Sequence, residues 1–224
     1  MNIDLPEETE TRLRALVAEV LRVNQQFNLT SVRDPEAAWE RHVLDSLEAL
    51  PTGLLEGVRR VIDVGSGPGF PGLALAMARP QLKMVLLDAT AKKCRFLENT
   101  IAMFELNARV VNGRAETIGR NRMYRAAYDV ATARAVGSMS EVSELCLPLV
   151  RVGGNVILWR GERARDELKS SKKAIELLGG VLSSVKQYSL SAHQGNFHLV
   201  VIQKQSETPP RFPRRDGLPK SEPL

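Results

Sequence analysis

The hydrophobic pattern changes period along the chain. Leu13, Leu16, Val17, Val20, Leu21 and Phe27, with Asn24 on the same side, recur at helical spacing and predict an amphipathic helix over 7–27. Asn28–Pro35 breaks it, and Trp39, Val43, Leu47 and Leu50 predict a second helix over 36–50. The far side of that helix carries Arg41 one turn before Asp45 and His42 one turn before Ser46. No nucleophile elbow accompanies them, so ion pairing and hydrogen bonding are the expected roles. Pro51-Thr-Gly53 closes this helical preface. From there short β-branched runs alternate with helical ones. Strands are predicted at Val61–Val64, Met84–Asp88, Ala108–Asn112, Tyr128–Ala133 and Asn155–Trp159, which argues for a parallel sheet. Between them lie a short helix with Leu73, Leu75 and Met77, stopped by Pro80, and one opened by Thr90 with Cys94, Leu97, Ile101 and Phe104 inward. Two more follow, from Met139 to Leu149 and from Glu162 to Leu178, the last ended by Gly179-Gly180.

Two final runs, Val181–Leu190 and Phe197–Lys204, are joined by the six residues Ser191–Asn196. A parallel crossover needs about a dozen or more, so these strands are predicted to form an antiparallel hairpin. The expected fold is α/β and Rossmann-like: a mostly parallel seven-stranded sheet with a terminal antiparallel hairpin and an N-terminal helical extension. That layout is the one used by class I methyltransferases that take S-adenosylmethionine. The expected organisation is a helical extension over 1–57, a catalytic domain over 58–205 and a basic, proline-rich flexible tail over 206–224.

The first strand runs into Gly65, Gly67, Gly69 and Gly72, and a helix follows. Strand, glycine turn and helix let a backbone approach a ligand closely, because glycine has no Cβ, and the helix N-terminus favours a polar oxygen or an anion. The spacing Gly67-x-Gly69-x-x-Gly72 also fits a dinucleotide fingerprint. The second strand ends at Asp88, nineteen residues past Gly69, where an adenosine ribose would present its hydroxyls. A helix-packing turn with a surface acid is the bland alternative.

Composition narrows the classes. The chain has 224 residues, 43% of them hydrophobic and 25% charged, values ordinary for a globular protein. No apolar run is long enough to span a bilayer, and the acidic start Met1-Asn-Ile-Asp-Leu-Pro6 is not a secretory signal, so a cytoplasmic protein is expected. Cys94 and Cys146 make neither a disulfide framework nor a metal site, and no histidine has ligand spacing. The net charge of +5 mildly favours an anionic partner. Basic residues outnumber acidic ones eight to three over 92–125 and seven to three over 151–173, as on a solvated face or a surface for nucleic acid. Residues 206–224 hold five of the twelve prolines, with Arg211, Arg214, Arg215 and Lys220. They are expected to build no core and to act either as an inert terminus or as an arm on phosphates, with no part in holding a cofactor.

Several motifs resemble one family. Phe27-Asn-Leu-Thr-Ser-Val-Arg-Asp-Pro35, Arg41-His-Val-Leu-Asp-Ser46 and Asp63-Val-Gly-Ser-Gly-Pro-Gly-Phe-Pro-Gly72 carry the likeness. Leu87-Asp88, Arg95-Phe-Leu97, Ala133-Arg-Ala135, His198-Leu-Val-Val-Ile202, Phe212-Pro-Arg-Arg215 and Leu218-Pro-Lys220 extend it over nearly the whole chain. The sequence is similar to the bacterial small-subunit ribosomal RNA methyltransferase G family, also called glucose-inhibited division protein B. The resemblance implies methyl transfer from S-adenosylmethionine to N7 of one guanosine in 16S rRNA, near the decoding site, by a monomer without metal that acts on rRNA or the small subunit. It implies that Gly65 and Phe70 line the methionine and ribose end of the cofactor, with Gly67 among the cofactor-binding residues. Asp88 would hold the ribose hydroxyls with Ala89 and Thr90 beside it, Ala115 and Glu116 would border the adenine, and Arg134 would face cofactor and reaction centre. Arg160, Arg214 and Arg215 are the expected RNA contacts. The chain departs from the family at Leu158-Trp-Arg-Gly161, where a lysine is usual, and at Asn196-Phe197, where an arginine often precedes the histidine of the last strand.

The chemistry agrees with that implication. Guanine N7 carries a free lone pair, so no proton need leave before attack, and the sulfonium leaves as a neutral thioether. Positioning and electrostatics then suffice. Enzymes that methylate exocyclic amines place an Asp/Asn-Pro-Pro-aromatic motif after the fourth strand, where this chain reads Ala133-Arg-Ala-Val136. Carbon methylation of pyrimidines needs a cysteine nucleophile, and Cys146 follows a helical run rather than a strand. An NAD-dependent oxidoreductase shares the glycines and Asp88, but its fold would continue with another βα unit, and Pro68 and Pro71 lack N–H groups for a pyrophosphate. A non-catalytic RNA-binding protein with a residual cofactor pocket is the other alternative.

Overall fold

The computed structural model describes residues 5–191 and 193–224. Met1–Asp4, the acidic start, and Ala192, within the expected six-residue link, lie outside them. Helix α1 (Glu7–Asn24) buries Leu13, Leu16, Val17, Val20, Val23 and Asn24 on one face. The second predicted helix forms in three pieces: α2 (Pro35–Ala38), a wider π-type segment (Trp39–Leu44) and α3 (Asp45–Leu47). Asp34 caps α2 by accepting from the Ala37 N–H at 2.8 Å.

Seven strands follow in one sheet: β1 (Arg60–Val64), β2 (Lys83–Asp88), β3 (Ala108–Asn112), β4 (Tyr128–Arg134), β5 (Val150–Arg160), β6 (Gly180–Leu190) and β7 (His193–Lys204). Their order is β3-β2-β1-β4-β5-β7-β6. The first five are parallel, while β7 runs antiparallel between β5 and β6, as the short link requires. Chain order reverses between β1 and β4, which opens a crevice beyond their C-terminal ends. Helices α4 (Gly72–Ala78), α5 (Ala91–Met103), α6 (Ala115–Arg120), α7 (Met139–Cys146) and α8 (Ala164–Leu177) connect the strands.

Both faces of the sheet are covered. Met84 and Leu86 pack with α1, Trp39, Leu47, α4 and Phe96, whereas Val85 and Leu87 pack with Met139, Val142, Leu145 and Leu178. This alternation follows from the period-two geometry of a strand, and burial on both sides explains the unbroken apolar runs. The helical preface therefore shares its core with the sheet. Cys94 and Cys146 are both buried thiols. Among the described residues no helix is long and apolar enough to cross a membrane.

The C-terminal segment differs from expectation. Instead of building no core, residues 206–224 lay Phe212 into the apolar layer on the α7–α8 side and end in a helical turn, α9 (Leu218–Ser221). A proline-rich stretch cannot make its own hydrogen-bond ladder, and here arginines donate to its carbonyls. Arg125 reaches Phe212 O at 2.7 Å and Thr208 O at 2.6 Å, and Arg120 reaches Pro213 O at 2.7 Å. Arg214 pairs with Glu144 of α7 at 2.7 Å. Sequence composition carried no sign of these partners, because they lie about 70 or more residues away.

Gly72 stands where α4 meets the sheet. A Cβ there would lie 2.3 Å from Leu86 Cδ2 and 2.9 Å from Asp63 Oδ2. Gly72→Ala is expected to cost about 1–3 kcal/mol of overpacking in urea unfolding. An unchanged midpoint would show that this contact relaxes freely.

Candidate functional site

The loop between β1 and α4 is held by its backbone. Gly65 N–H and Ser66 N–H both donate to Leu87 O, at 2.8 and 3.1 Å, and Gly69 N–H donates to Ser66 O at 2.7 Å. Asp63, fully buried, closes the far end: its Oδ2 accepts from Gly72 N–H at 3.2 Å and its Oδ1 from Thr132 Oγ1 at 2.8 Å. Burial raises the Asp63 carboxyl to about 6, offset in part by these donors. Gly65 takes φ +71, and a Cβ on it would sit 2.8 Å from Val136 Cγ2. Backbone conformation and space both require glycine there.

Asp88 ends β2 beside this loop. Its Oδ2 accepts from Gly67 N–H at 2.9 Å and its Oδ1 from Thr90 N–H at 2.8 Å. A carboxylate has about four lone-pair sites, so two acceptor positions are left. They border a cavity of about 240 Å³ whose wall includes Gly65, Asp88, Ala89, Ala115 and Glu116. Five of the residues expected at the cofactor thus share one cavity. Gly67 and Thr90 support it through Asp88. Thr90 opens α5 without the expected side-chain cap, and its N–H is held by Asp88. The wall also includes Val136, Glu141, Leu145, Gly217 and Lys220, none expected from sequence. Only Glu141 left a local trace: Ser138 and Glu141 form a capping box at the start of α7.

Phe70 and Arg134 lie outside that wall and meet each other instead, the guanidinium carbon 5.8 Å from the ring centroid. Arg134 Nη1 donates to Arg41 O at 2.6 Å and to Asp45 Oδ2 at 2.8 Å. The carbonyl is reached in the π-type turn, where Asp45 N–H bonds five residues back to Glu40 O. Asp45 is fixed in turn by the Tyr188 hydroxyl on its carboxylate and by Trp159 Nε1–H on its carbonyl at 2.6 Å. This corrects the expected side-chain pairs of the preface. Asp45 pairs with Arg134 rather than with Arg41, whose guanidinium lies 4.7 Å from the Phe197 ring centroid. Ser46 Oγ donates to the carbonyl of His42, not to its ring.

His42 stacks on Phe70 at 4.9 Å between centroids. Its Nδ1 lies 3.3 Å from Arg134 Nη2, and its Nε2 lies 3.0 Å from Thr30 Oγ1. Guanidinium is donor only, so Nδ1 accepts and Nε2 carries the proton. Burial, then the charges of Arg134 and Arg41, lower its pKa to about 3. The imidazole is neutral with both nitrogens occupied. Burial also pushes the Cys146 thiol upward.

The arginines expected at RNA divide. Arg160 pairs with Glu167 and donates to Val136 O at 3.1 Å and Gly137 O at 3.0 Å, and Arg214 is held by Glu144. Both are engaged within the chain: Glu144 lies 70 residues from Arg214, and the carbonyls that hold Arg160 lie 23 and 24 residues away, beyond what local sequence reveals. Arg215 is exposed. Among the described residues no group of three His, Cys, Asp or Glu could hold a metal ion.

His42 makes a pH prediction. Unfolded, it takes a proton near 6.5; folded, only near 3, so its contribution to stability is lost as pH falls through that window. Asp63 acts oppositely, because its raised pKa lets the folded state bind a proton first between about 6 and 3.8. Asp63 is common to wild type and His42→Gln. Between pH 7 and pH 5 the wild type is therefore expected to lose about 2 kcal/mol more than the variant in urea unfolding. Parallel pH profiles would reject a neutral His42.

The rRNA small subunit methyltransferase G family model, GidB, matches residues 9–197. The chain is 41% identical over 223 residues to a ribosomal RNA small subunit methyltransferase G of Moorella thermoacetica, covering 99% of this chain and 93% of that one. To that of Nostoc punctiforme it is 39% identical, covering 97% and 91%. Solved structures share the fold. A branched-chain polyamine synthase of Thermus thermophilus superposes with TM-score 0.65 at 14% identity, covering 92% of this chain and 66% of that one. A putative O-methyltransferase of Klebsiella pneumoniae superposes with TM-score 0.59 at 13% identity, covering 85% and 90%. With the glycine turn, the acid at the end of β2 and the antiparallel last strand in place, these matches establish that the chain belongs to the GidB family of rRNA small subunit methyltransferase G proteins.

Proposed function

We propose that this protein methylates N7 of one guanosine in 16S rRNA, near the decoding site. The coarser activity, methylation of small-subunit ribosomal RNA with S-adenosylmethionine, comes with the family. The residues fit that cofactor: the turn at Gly65 is a cradle that a Cβ would fill, and the cavity beside it has the scale of a nucleoside. When bound, S-adenosylmethionine supplies an electrophilic methyl group and a neutral leaving group.

In this reading the free lone pairs of Asp88 accept the ribose hydroxyls, with Ala89 and Thr90 beside them. Ala115 and Glu116 border the adenine. Gly65, Gly67 and Phe70 serve the methionine and ribose end. Arg134, pinned by Asp45 and the Arg41 carbonyl, faces the reaction centre as a fixed positive charge that positions cofactor or base. Arg215, exposed like Arg211 and Lys220 in the C-terminal segment, is available to phosphate, whereas Arg160 and Arg214 are held in ion pairs within the chain.

The observation that carries N7 is the protonation chemistry around Arg134. Asp45 is tied into an ion pair there and His42 is neutral with both nitrogens engaged, while Cys146, on α7, is a buried thiol. Methylation of an exocyclic amine must lose a proton, and a pyrimidine carbon needs a nucleophile; N7 needs neither.

Small subunits from a strain lacking the modification, treated with labelled S-adenosylmethionine, are expected to carry label on one guanosine. Reduction and aniline should cleave the RNA there, as they do at 7-methylguanosine. Label without cleavage would move the methyl off N7. Asp88→Ala is expected to weaken cofactor binding by about 1.5–3 kcal/mol, the worth of hydrogen bonds to a charged group. A cofactor analogue without ribose hydroxyls should bind wild type and variant alike, and a variant that distinguished them no less than wild type would contradict the ribose role.

A further inference from the structure

The cavity beside Asp88 has an outer side that the Rossmann-like core does not build. Strand ends and α6–α7 supply Gly65, Asp88, Ala115 and Glu141, while Gly217 and Lys220 come from the last residues of the chain. Three residues of α6 spend their side chains on that segment. Glu116 Oε1 accepts from Gly217 N–H at 2.9 Å, Thr117 Oγ1 donates to Asp216 Oδ1 at 2.9 Å, and Arg120 Nε donates to Pro213 O at 2.7 Å. Next to them Glu144, with no solvent exposure, accepts from Arg214 N–H at 2.7 Å and from Nε and Nη2 at 2.9 and 2.7 Å.

We infer that the C-terminal segment is a structural wall of the cofactor site: Gly217 and Lys220 close its nucleoside end, Gly217 aims the Glu116 carboxylate, and the buried Glu144–Arg214 pair latches the segment in place. The inference rests on the cofactor reading above. Its physical basis is that a half-open cavity leaves a bound nucleoside face in water, whereas a latched wall removes that face from solvent without reordering at each binding event. A charge as buried as Glu144 holds its partner in one geometry, since unpairing it is costly. Arg214 and Gly217 are thus positioning residues, acting through the wall and through Glu116. Linkage makes the effect reciprocal: a nucleoside that gains from the wall must also stabilise the wall.

The test uses the full chain with S-adenosylhomocysteine and with 5′-methylthioadenosine, which lacks the amino-acid end. In wild type, amide hydrogen exchange over 212–221 is expected to slow when either compound binds. Arg214→Ala, shown to be folded by its melting curve, should bind both compounds roughly tenfold more weakly, the size of one lost oriented contact. Equal loss for the two places the effect at the nucleoside end. If Arg214→Ala does not fold, Asp216→Ala decides, because it releases only the exposed Thr117 bond; a weakening of about threefold is expected. Wild-type affinity in the folded variant, or exchange over 212–221 that ignores the ligand, overturns the inference. A wild-type protein that binds neither compound overturns the cofactor reading and the wall with it.

Discussion

A loop rich in glycine has few side chains with which to hold itself, so most of the bonds that shape it come from elsewhere. Here two strand ends provide them. Leu87 O takes the N–H groups of Gly65 and Ser66, Asp88 takes that of Gly67, and Asp63 takes that of Gly72. The parallel register of β1 on β2, Val64 opposite Leu87, sets this arrangement. The two acids do different work. Asp63 is sealed between loop and β4, where burial raises its pKa, and it braces the turn. Asp88 sits at the cavity edge and keeps acceptor capacity for a ligand after satisfying two backbone donors.

Around this brace the chain is tied together by charges brought from far apart. Asp45 of the preface meets Arg134 at the end of β4, Glu48 meets Lys186 of β6 at 3.1 Å, and Glu144 meets Arg214 of the C-terminal segment. All three carboxylates are buried. Such pairs give little net stability over apolar contacts, but breaking one is costly, so they select a single arrangement of the parts they join. The preface thereby orients Arg134, and the C-terminal segment stays against α6 and α7. Electrostatic preorganisation of this kind suits a reaction that asks for no proton transfer.

Much of the fold was legible. Apolar runs marked all seven strands, although β5 and β7 begin at Val150 and His193, five and four residues before the expected starts, and the short link after β6 required the antiparallel end. Five of the proposed cofactor residues, Gly65, Asp88, Ala89, Ala115 and Glu116, meet in one cavity. The π-type turn at Trp39–Leu44 was not legible, because one residue of extra register leaves the apolar spacing almost unchanged, and the pairing of Asp45 with Arg134 spans 89 residues. The composition of the C-terminal segment predicts a flexible tail, because its prolines and arginines have no local partner. Its place depends on Phe212 in the core and on donors from Arg120 and Arg125.

The sequence by itself determined the alternation of strands and helices, the bare turn after β1 and the acid after β2. Each of these is written in local spacing: period, glycine position, a short link. Only the tertiary structure decided which charges are paired and therefore which are free. It set Arg134 against Asp45 and Arg214 against Glu144, put the Arg160 guanidinium on the carbonyls of Val136 and Gly137, and brought Gly217 to Glu116. An ion pair or a single backbone bond between residues tens of positions apart leaves no periodic trace in a sequence; it exists only once packing has brought its two ends together.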